Sequence, residues 1–332
     1  MFSGAGGFEI GIQYANDLSN TEGIQQMGTS QDITSDQQKL MGAKQLTCVG
    51  FSEIDKYASA VLAYRFPNIK NYGDCTKINW SEVPDFNLLV GGSPCQDLSI
   101  AGKRGGLQES RSGLFYEFIR AVKEKKPSYF IWENVKGALS SNRGWDFSAV
   151  INEMAEAGYS LWWQVLNAKD FGVPQNRERI FVVGTRNGSP REIFFERGAD
   201  EEDSRTIGED VAFTIDANYH KGTNRIDKGR RSIVCVNNPK HSNDRVYSDE
   251  GIAPTLNTMQ GGQRQPFVQR HIDTRVRRLM PIECERLMSW PDDWTRWGSF
   301  DGEVKEISDT QRYKMCGNGV VSAVIKEIIN EM

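Results

Sequence analysis

At 332 residues the chain is long enough for one large domain or two modest ones, with a core that needs no disulfide help. Apolar residues make up 38% and charged residues 25%, an ordinary globular mixture. Forty Lys and Arg against 44 Asp and Glu leave a formal charge of −4, so bulk charge gives no reason to expect nucleic acid. The distribution is uneven. Between Tyr219 and Arg278 lie 12 basic and five acidic residues, a net of +7, which leaves −11 for the remainder. The six cysteines (48, 75, 95, 235, 284, 316) are scattered without a C-x-x-C pair or zinc spacing, so neither a disulfide framework nor a structural metal is expected. No apolar run approaches the ~20 residues of a membrane span, and the N-terminus lacks the order of a signal peptide. The chain reads as soluble and intracellular.

In chain order, the first third alternates short apolar runs with helical patterns, the signature of a parallel sheet flanked by helices. The periodicity predicts strands at Thr47–Ser52, Leu88–Val90, Tyr129–Glu133, Leu161–Leu166 and Arg179–Gly184. It predicts helices over Asp55–Phe66, stopped by Pro67, over Leu114–Lys123, and over Phe147–Ala157, closed by Gly158. Residues 13–45 are polar and weakly periodic, and read as a surface insertion. From about Asn187 to Asp273 the composition turns rich in Gly, Asn, Arg and Gln, as for a separate small module. Helical patterns return at Pro281–Ser289 and Val320–Ile329.

Phe2–Gly11 reads FSGAGGFEIG, with glycines at 4, 6 and 7 that let backbone pass close to a ligand where a helix starts. A dinucleotide fingerprint needs its third glycine at position 9, where Glu9 stands, which weakens an NAD reading. Glu53, at the next strand end, is placed to accept from two ribose hydroxyls, and Asp74 from an adenine amino group. Taken alone, either acid is equally well read as a solvated loop carboxylate.

Gly91–Gly102 reads GGSPCQDLSIAG. Most free cysteines are inert core residues, and Cys48 fits that description. Cys95 differs, because it sits where an α/β sheet opens to ligand, with backbone N–H groups nearby to favour a thiolate and Pro94 to aim the sulfur. The Gly-rich run 96–112 looks like a lid. Glu133-Asn134-Val135 closes a later strand, and Gln175-Asn176-Arg177-Glu178-Arg179 opens another. A nucleophilic cysteine, a strand-end carboxyl and two alternating arginines suit attack on an electron-poor ring. Each residue alone is weak evidence, since Arg177 and Arg179 also fit ion-paired strand ends.

Together these stretches resemble the DNA (cytosine-5)-methyltransferases of bacteria and phage. The motifs follow that family's order: FSGAGGFEIG, FSEID (51–55), GGSPCQDLSIAG, RSGLFYE (111–117), ENV (133–135), QNRER (175–179), then RRLMPIECERLMSWP (277–291) and YKMCGNGV (313–320). The resemblance implies an α/β, Rossmann-like fold binding S-adenosylmethionine, with a smaller, irregular β-rich target-recognition domain. Expected boundaries are 1–184 for the catalytic domain, 185–275 for recognition and 276–332 for the return to the catalytic domain. It implies that Cys95 adds to C6 of a cytosine flipped out of duplex DNA. Glu133 would contact N3 and the exocyclic amine, and Arg177 and Arg179 would form the basic pair beside them. The cofactor is expected across Phe2, Gly4, Gly6, Glu53, Ile54, Asp74, Pro94, Leu114 and Asn318. Gln96, Ser99 and Arg104 match lid positions that close on DNA. Thr255 matches a residue pressing the DNA backbone, while Ser242, Arg245 and Arg264 are expected at the DNA, with Gln263 and Gln265 also suited to reading bases. No metal is implied. A monomer in the cytoplasm of a bacterial or phage-infected cell, at the nucleoid, is expected, with a cognate restriction endonuclease as a functional partner.

Two departures from the family pattern stand out. An apolar, basic strand normally precedes the Phe-x-Gly-x-Gly-Gly turn, whereas this chain begins at Met1 inside that motif. The central strand under the cofactor is therefore expected to be absent or truncated, loosening the methionine end of the pocket. The second is the 13–45 insertion. Two other readings remain: a catalytically weak DNA-binding homologue, and a tRNA cytosine-5 methyltransferase, whose Cys-Phe-Thr signature is absent here.

Overall fold

The computed structural model describes residues 1–26, 45–93, 113–186, 235–237, 239, 244–258, 265–269 and 276–332. Its central sheet has four strands, β1 (Leu88–Gly91), β2 (Tyr129–Val135), β3 (Ser160–Asn167) and β4 (Glu178–Thr185), in the order β1-β2-β4-β3. Strand β2 shows why this sheet lies at the centre. Phe130, Ile131 and Trp132 are all fully buried, so both faces are covered. Alternation sends Phe130 and Trp132, with Ile180 and Val182 of β4, into one core. That core is closed by α3 (Gly113–Lys125) and α4 (Trp145–Glu156), which supply Phe118, Val122, Val150 and Met154. Ile131, Phe181 and Val183 face the opposite core, with α1 (Gly7–Gln26), α2 (Lys56–Arg65) and α7 (Ser322–Glu331). Burying each large side chain stabilises by about 1.5–3 kcal/mol, so the sheet is held from both sides.

The sheet is mixed rather than parallel. β1 and β2 run parallel, but β4 is antiparallel to both β2 and β3. The link from β3 to β4 holds only a short 3₁₀ turn, Ala168–Phe171, and parallel strands need a crossover of a dozen or more residues. The predicted strand at Thr47–Ser52 is reduced to an isolated bridge between Phe51 and Asn71. Residues 45–50 join no ladder among the described residues, and a strand without ladder partners has little to hold it. Met1 and Phe2 lie beside this stretch, where the Met1 ammonium donates to the Val90 carbonyl at 2.6 Å and Phe2 N–H to Ser52 at 2.8 Å.

The first part of the expected 13–45 insertion is helical, since α1 continues to Gln26. Asn16 clasps the returning chain, donating to the Leu46 carbonyl at 2.8 Å and accepting from its N–H at 3.1 Å. Residues 27–44 lie outside the described set. Helix α1 sits tightly on α7: a Cβ at Gly11 would come 2.6 Å from Ile325 Cβ, and Ser322 Oγ donates to the Gly7 carbonyl. Helix α2 is capped by Asp55, whose carboxylate accepts from Tyr57 and Ala58 N–H at 3.0 Å.

Three short strands, β5 (Val246–Ser248), β6 (Phe267–Gln269) and β7 (Val276–Arg278), form a separate sheet. Beyond it come α5 (Pro281–Leu287), the hairpin β8 (Trp297–Phe300) and β9 (Glu303–Glu306), and α6 (Asp309–Asn318). A buried ion-pair network joins these: Arg312 donates to Glu285 at 3.0 Å and to Asp293 at 3.0 Å, and Thr295 donates from N–H and hydroxyl to Glu285. Among the described residues no helix is long and apolar enough to cross a membrane.

Glu9 is a buried acid in the first turn of α1 whose Oε2 makes no hydrogen bond. Burial pushes its carboxyl up to about 7, offset in part by the nearby Met1 ammonium. Because the folded state holds this proton more tightly than the unfolded chain, the contribution is complete below pH ~4.5 and is lost as pH rises through about 7. Glu9→Gln is therefore expected to be more stable than wild type at pH 8, by up to roughly 3 kcal/mol, with the gap closing towards pH 5. Urea midpoints at both pH values check this, and a pH-independent gap would contradict it.

Candidate active site

The site begins where β1 and β2 end side by side. Gly91 pairs with Trp132, and Gly92 and Ser93 follow at once. Two side chains from one face of β2 hold Ser93: Trp132 Nε1 donates to its hydroxyl at 3.2 Å and Asn134 Nδ2 to its carbonyl at 2.9 Å. Both bonds are buried, so the backbone leading into Pro94 and Cys95 has a fixed root. Pro94 and Cys95 themselves, with Gln96, Ser99 and Arg104, lie outside the described residues.

The opposite face of β2 carries Glu133. It pairs with Phe181, so Arg179, two residues earlier on β4, is its diagonal neighbour on the same face. Arg179 Nε meets Glu133 Oε1 at 3.0 Å, with both side chains largely buried. Glu133 also leans over the root of the loop that leads to Cys95, since a Cβ at Gly92 would fall 2.7 Å from Glu133 Oε2 and 3.1 Å from its carbonyl. Glycine is therefore what allows this approach. Burial raises the Glu133 carboxyl above the ordinary carboxylate range, while Arg179 and then Arg177 limit the rise. Such a group can offer a proton or a hydrogen bond to a ring nitrogen and still respond to neighbouring cations.

The turn before α1 has Phe2, Gly4 and Gly6 all at positive φ (55°, 54° and 93°). This backbone presents Gly4 N–H to Glu53 Oε2 at 2.8 Å, and Glu53 Oε1 accepts from Ile54 and Asp55 N–H. Glu53 is thus fixed by three backbone donors, with lone pairs remaining for ribose hydroxyls. A Cβ at Gly4 would meet nothing within 4 Å, and Ile54 beside it is 74% exposed. An open backbone face, an anchored carboxylate and an exposed apolar side chain fit a nucleoside ligand. Asp74 accepts from Thr76 N–H and hydroxyl, which hold its carboxyl below the usual range, and its side chain reaches solvent. Leu114 is half-buried at the start of α3, and Asn318 is exposed at the end of α6.

Arg177 is drawn away from the open site. Its guanidinium is 2% exposed and donates to the carbonyls of Leu256 (3.1 Å), Gly317 (3.0 Å) and Gly319 (2.7 Å). Burial, with Arg179 adding to it, lowers its pKa to about 9, so it remains cationic at neutral pH. Thr255 is exposed and its hydroxyl donates to the Asn176 carbonyl at 2.5 Å. Arg245 is half-buried next to β5. Gln265 accepts from Arg278 at 3.2 Å, while Ser242, Gln263 and Arg264 lie outside the described residues.

Sequence reasoning overlooked three supports. Gln175, fully buried, donates to Leu287 and accepts from Leu256 N–H; Asn134 fixes Ser93; and Glu285 holds Arg312. All three stand inside motifs of the family pattern, which marked them without revealing a role. Glu285 is one of two acids in PIECERL, and only its place on a buried face shows that it needs a cation to balance it.

The doubly covered α/β sheet with an antiparallel β4 is the Rossmann-like fold of the S-adenosylmethionine-dependent methyltransferases. It covers 99% of its own length and 95% of an Entamoeba histolytica methyltransferase, EhMeth, at a TM-score of 0.63 and 14% identity, a likeness of fold. Within that class, the chain belongs to the C-5 cytosine-specific DNA methylases, whose family model matches residues 1–332. It is 35% identical over 290 residues to the type II methyltransferase M.HhaI of Haemophilus parahaemolyticus, spanning 85% of this chain and 86% of that protein. It is 46% identical over 140 residues to the orphan methyltransferase M.Rho11sI of Bacillus phage rho11s, spanning 42% of this chain and 28% of that protein. The protein is a DNA cytosine-5 methyltransferase, acting on cytosine in DNA with S-adenosylmethionine, the methyl donor of its family.

Proposed function

We propose that the protein methylates C5 of a cytosine flipped out of a specific duplex sequence, through a covalent bond from Cys95 to C6. The observation that carries this reading is the fixed root of the nucleophile loop. Ser93 is held by Trp132 and Asn134, Gly92 lies against Glu133, and Glu133 is paired with Arg179. Cys95 follows Ser93 by two residues in the sequence.

The residues divide the work as follows. The Cys95 thiolate forms the S–C6 bond while Glu133, protonated or hydrogen-bonded at N3, takes up the electron density pushed into the ring. Arg179 orients Glu133 and favours negative charge at the ring carbonyl. C5, now nucleophilic, takes the methyl group. Loss of the C5 proton then drives β-elimination, which breaks the S–C6 bond and restores the thiolate. S-adenosylmethionine supplies the electrophilic methyl group when bound. Phe2, Gly4, Gly6, Glu53, Ile54, Asp74, Pro94, Leu114 and Asn318 would hold it, with Glu53 on the ribose. Extruding the base costs a few kcal/mol of stacking and pairing. The lid residues Gln96, Ser99 and Arg104, with Thr255 pressing the backbone, offset that cost. Ser242, Arg245 and Arg264, in the basic stretch, read or anchor the duplex.

The test is a duplex in which 5-fluorocytosine replaces cytosine. Fluorine at C5 blocks the final elimination, so turnover conditions should leave a DNA–protein species that survives denaturation and maps to Cys95. Methylation of normal DNA without any trapped species would overturn the covalent route.

A further inference from the structure

Arg177 joins parts of the molecule that are far apart in sequence. One terminal nitrogen donates to Leu256, beside the exposed Thr255; the other donates to Gly317 and Gly319, on either side of Asn318. Gly317 lies in the last turn of α6, where carbonyls lack helical partners, so Arg177 completes the end of the helix that presents Asn318. The two segments also touch through backbone, for a Cβ at Gly317 would sit 2.3 Å from the Asn257 carbonyl oxygen. The 253–256 stretch is in turn fixed to the 174–177 turn. Ala253 N–H donates to Pro174, Asn176 N–H donates to Ala253, and Thr255 Oγ1 donates to Asn176.

A guanidinium is a rigid planar fork, so its two terminal nitrogens cannot move independently. Displacing the Leu256 carbonyl must tilt the fork and alter the bonds at Gly317 and Gly319. Arg177 Nε is buried without a hydrogen-bond partner, so the three carbonyl bonds alone hold the fork in place.

We propose that Arg177 is a positioning residue that couples the DNA-facing segment at Thr255 to Asn318 on the cofactor side, so that duplex DNA and the cofactor strengthen each other's binding. The proposal rests on the reading above, in which Thr255 meets DNA and Asn318 meets S-adenosylmethionine.

The test measures S-adenosylhomocysteine affinity by calorimetry, with and without an unmethylated plasmid duplex, for wild type and Arg177→Lys. Lysine keeps the charge but loses the fork. Wild type should bind S-adenosylhomocysteine about fivefold or more tightly in the presence of DNA, and the reciprocal effect on DNA affinity must be equal. In Arg177→Lys the ratio should fall close to one while each ligand still binds. An undiminished ratio in the variant would overturn the proposal, as would a wild-type ratio of one in a protein that methylates DNA. Wild type alone supplies a second measurement that needs no variant to fold. DNA added without cofactor should slow amide exchange at Gly317–Gly319, and unchanged exchange there overturns the coupling. Failure of wild type to incorporate any methyl group would remove the underlying reading itself, a result distinct from the loss of coupling.

Discussion

Cys95→Ser is expected to lower methyl transfer by at least about 10³-fold while leaving a folded protein that still binds duplex DNA. Serine keeps the size of the side chain, but its hydroxyl ionises far less readily than a thiol, so no S–C6 bond and no comparable O–C6 bond forms. The fold should survive, because Trp132 and Asn134 hold the root of this loop at Ser93, and neither bond involves Cys95. Single-turnover incorporation of labelled methyl groups gives the rate, and a gel-shift series gives DNA binding. Near-wild-type transfer by the serine variant would refute nucleophilic catalysis by Cys95, whatever its effect on binding.

Glu133 should give the second large effect, and its two substitutions separate chemistry from stability. Glu133→Gln keeps an acceptor for Arg179 Nε but cannot pass a proton to N3, so turnover should drop by about 10²–10⁴-fold with little loss of fold. Glu133→Ala leaves the cations of Arg179 and Arg177 in a buried site without their carboxylate, and should cost roughly 3–5 kcal/mol of stability as well. The pH dependence follows from the sign of the shift. Burial raises the Glu133 carboxyl, so its protonated form persists above the ordinary carboxylate range and is lost as pH climbs past its pKa. Wild-type kcat should therefore carry a falling limb on the alkaline side, against the rising limb of thiolate formation. Glu133→Gln, which has no proton to lose, should lack the falling limb. If both proteins show the same profile, Glu133 acts only by holding Arg179.

These outcomes also show where reading the sequence was enough. Strand β2 could be placed because YFIWENV is a continuous apolar run that ends in polar residues, and both its position and its polar end are as expected. The helices over Asp55–Phe66, Leu114–Lys123 and Phe147–Ala157 were likewise set by local spacing, and each lies within two residues at either end of its expected range. The strand at Thr47–Ser52 was not, because an apolar pattern makes a strand only where a neighbour completes the ladder, and only Phe51 finds one. The antiparallel β4 escaped notice for a related reason, since strand direction depends on how the chain returns rather than on side-chain alternation.

What the sequence determined by itself was the inventory and its order: the glycine turn, the Pro-Cys-Gln and Glu-Asn-Val motifs, two alternating arginines and a basic stretch inside an acidic chain. Motif spacing and period-two or period-3.6 patterns are properties of a local segment, so they survive without knowledge of the fold. The tertiary structure decided what each charge faces. Two arginines separated by one residue diverge, with Arg179 beside Glu133 and Arg177 turned onto three backbone carbonyls. Glu9, an unremarkable acid in the sequence, is buried with one oxygen unpaired. Ionisation and hydrogen bonding depend on desolvation and on partners up to 315 positions away, and those distances close only when the chain folds.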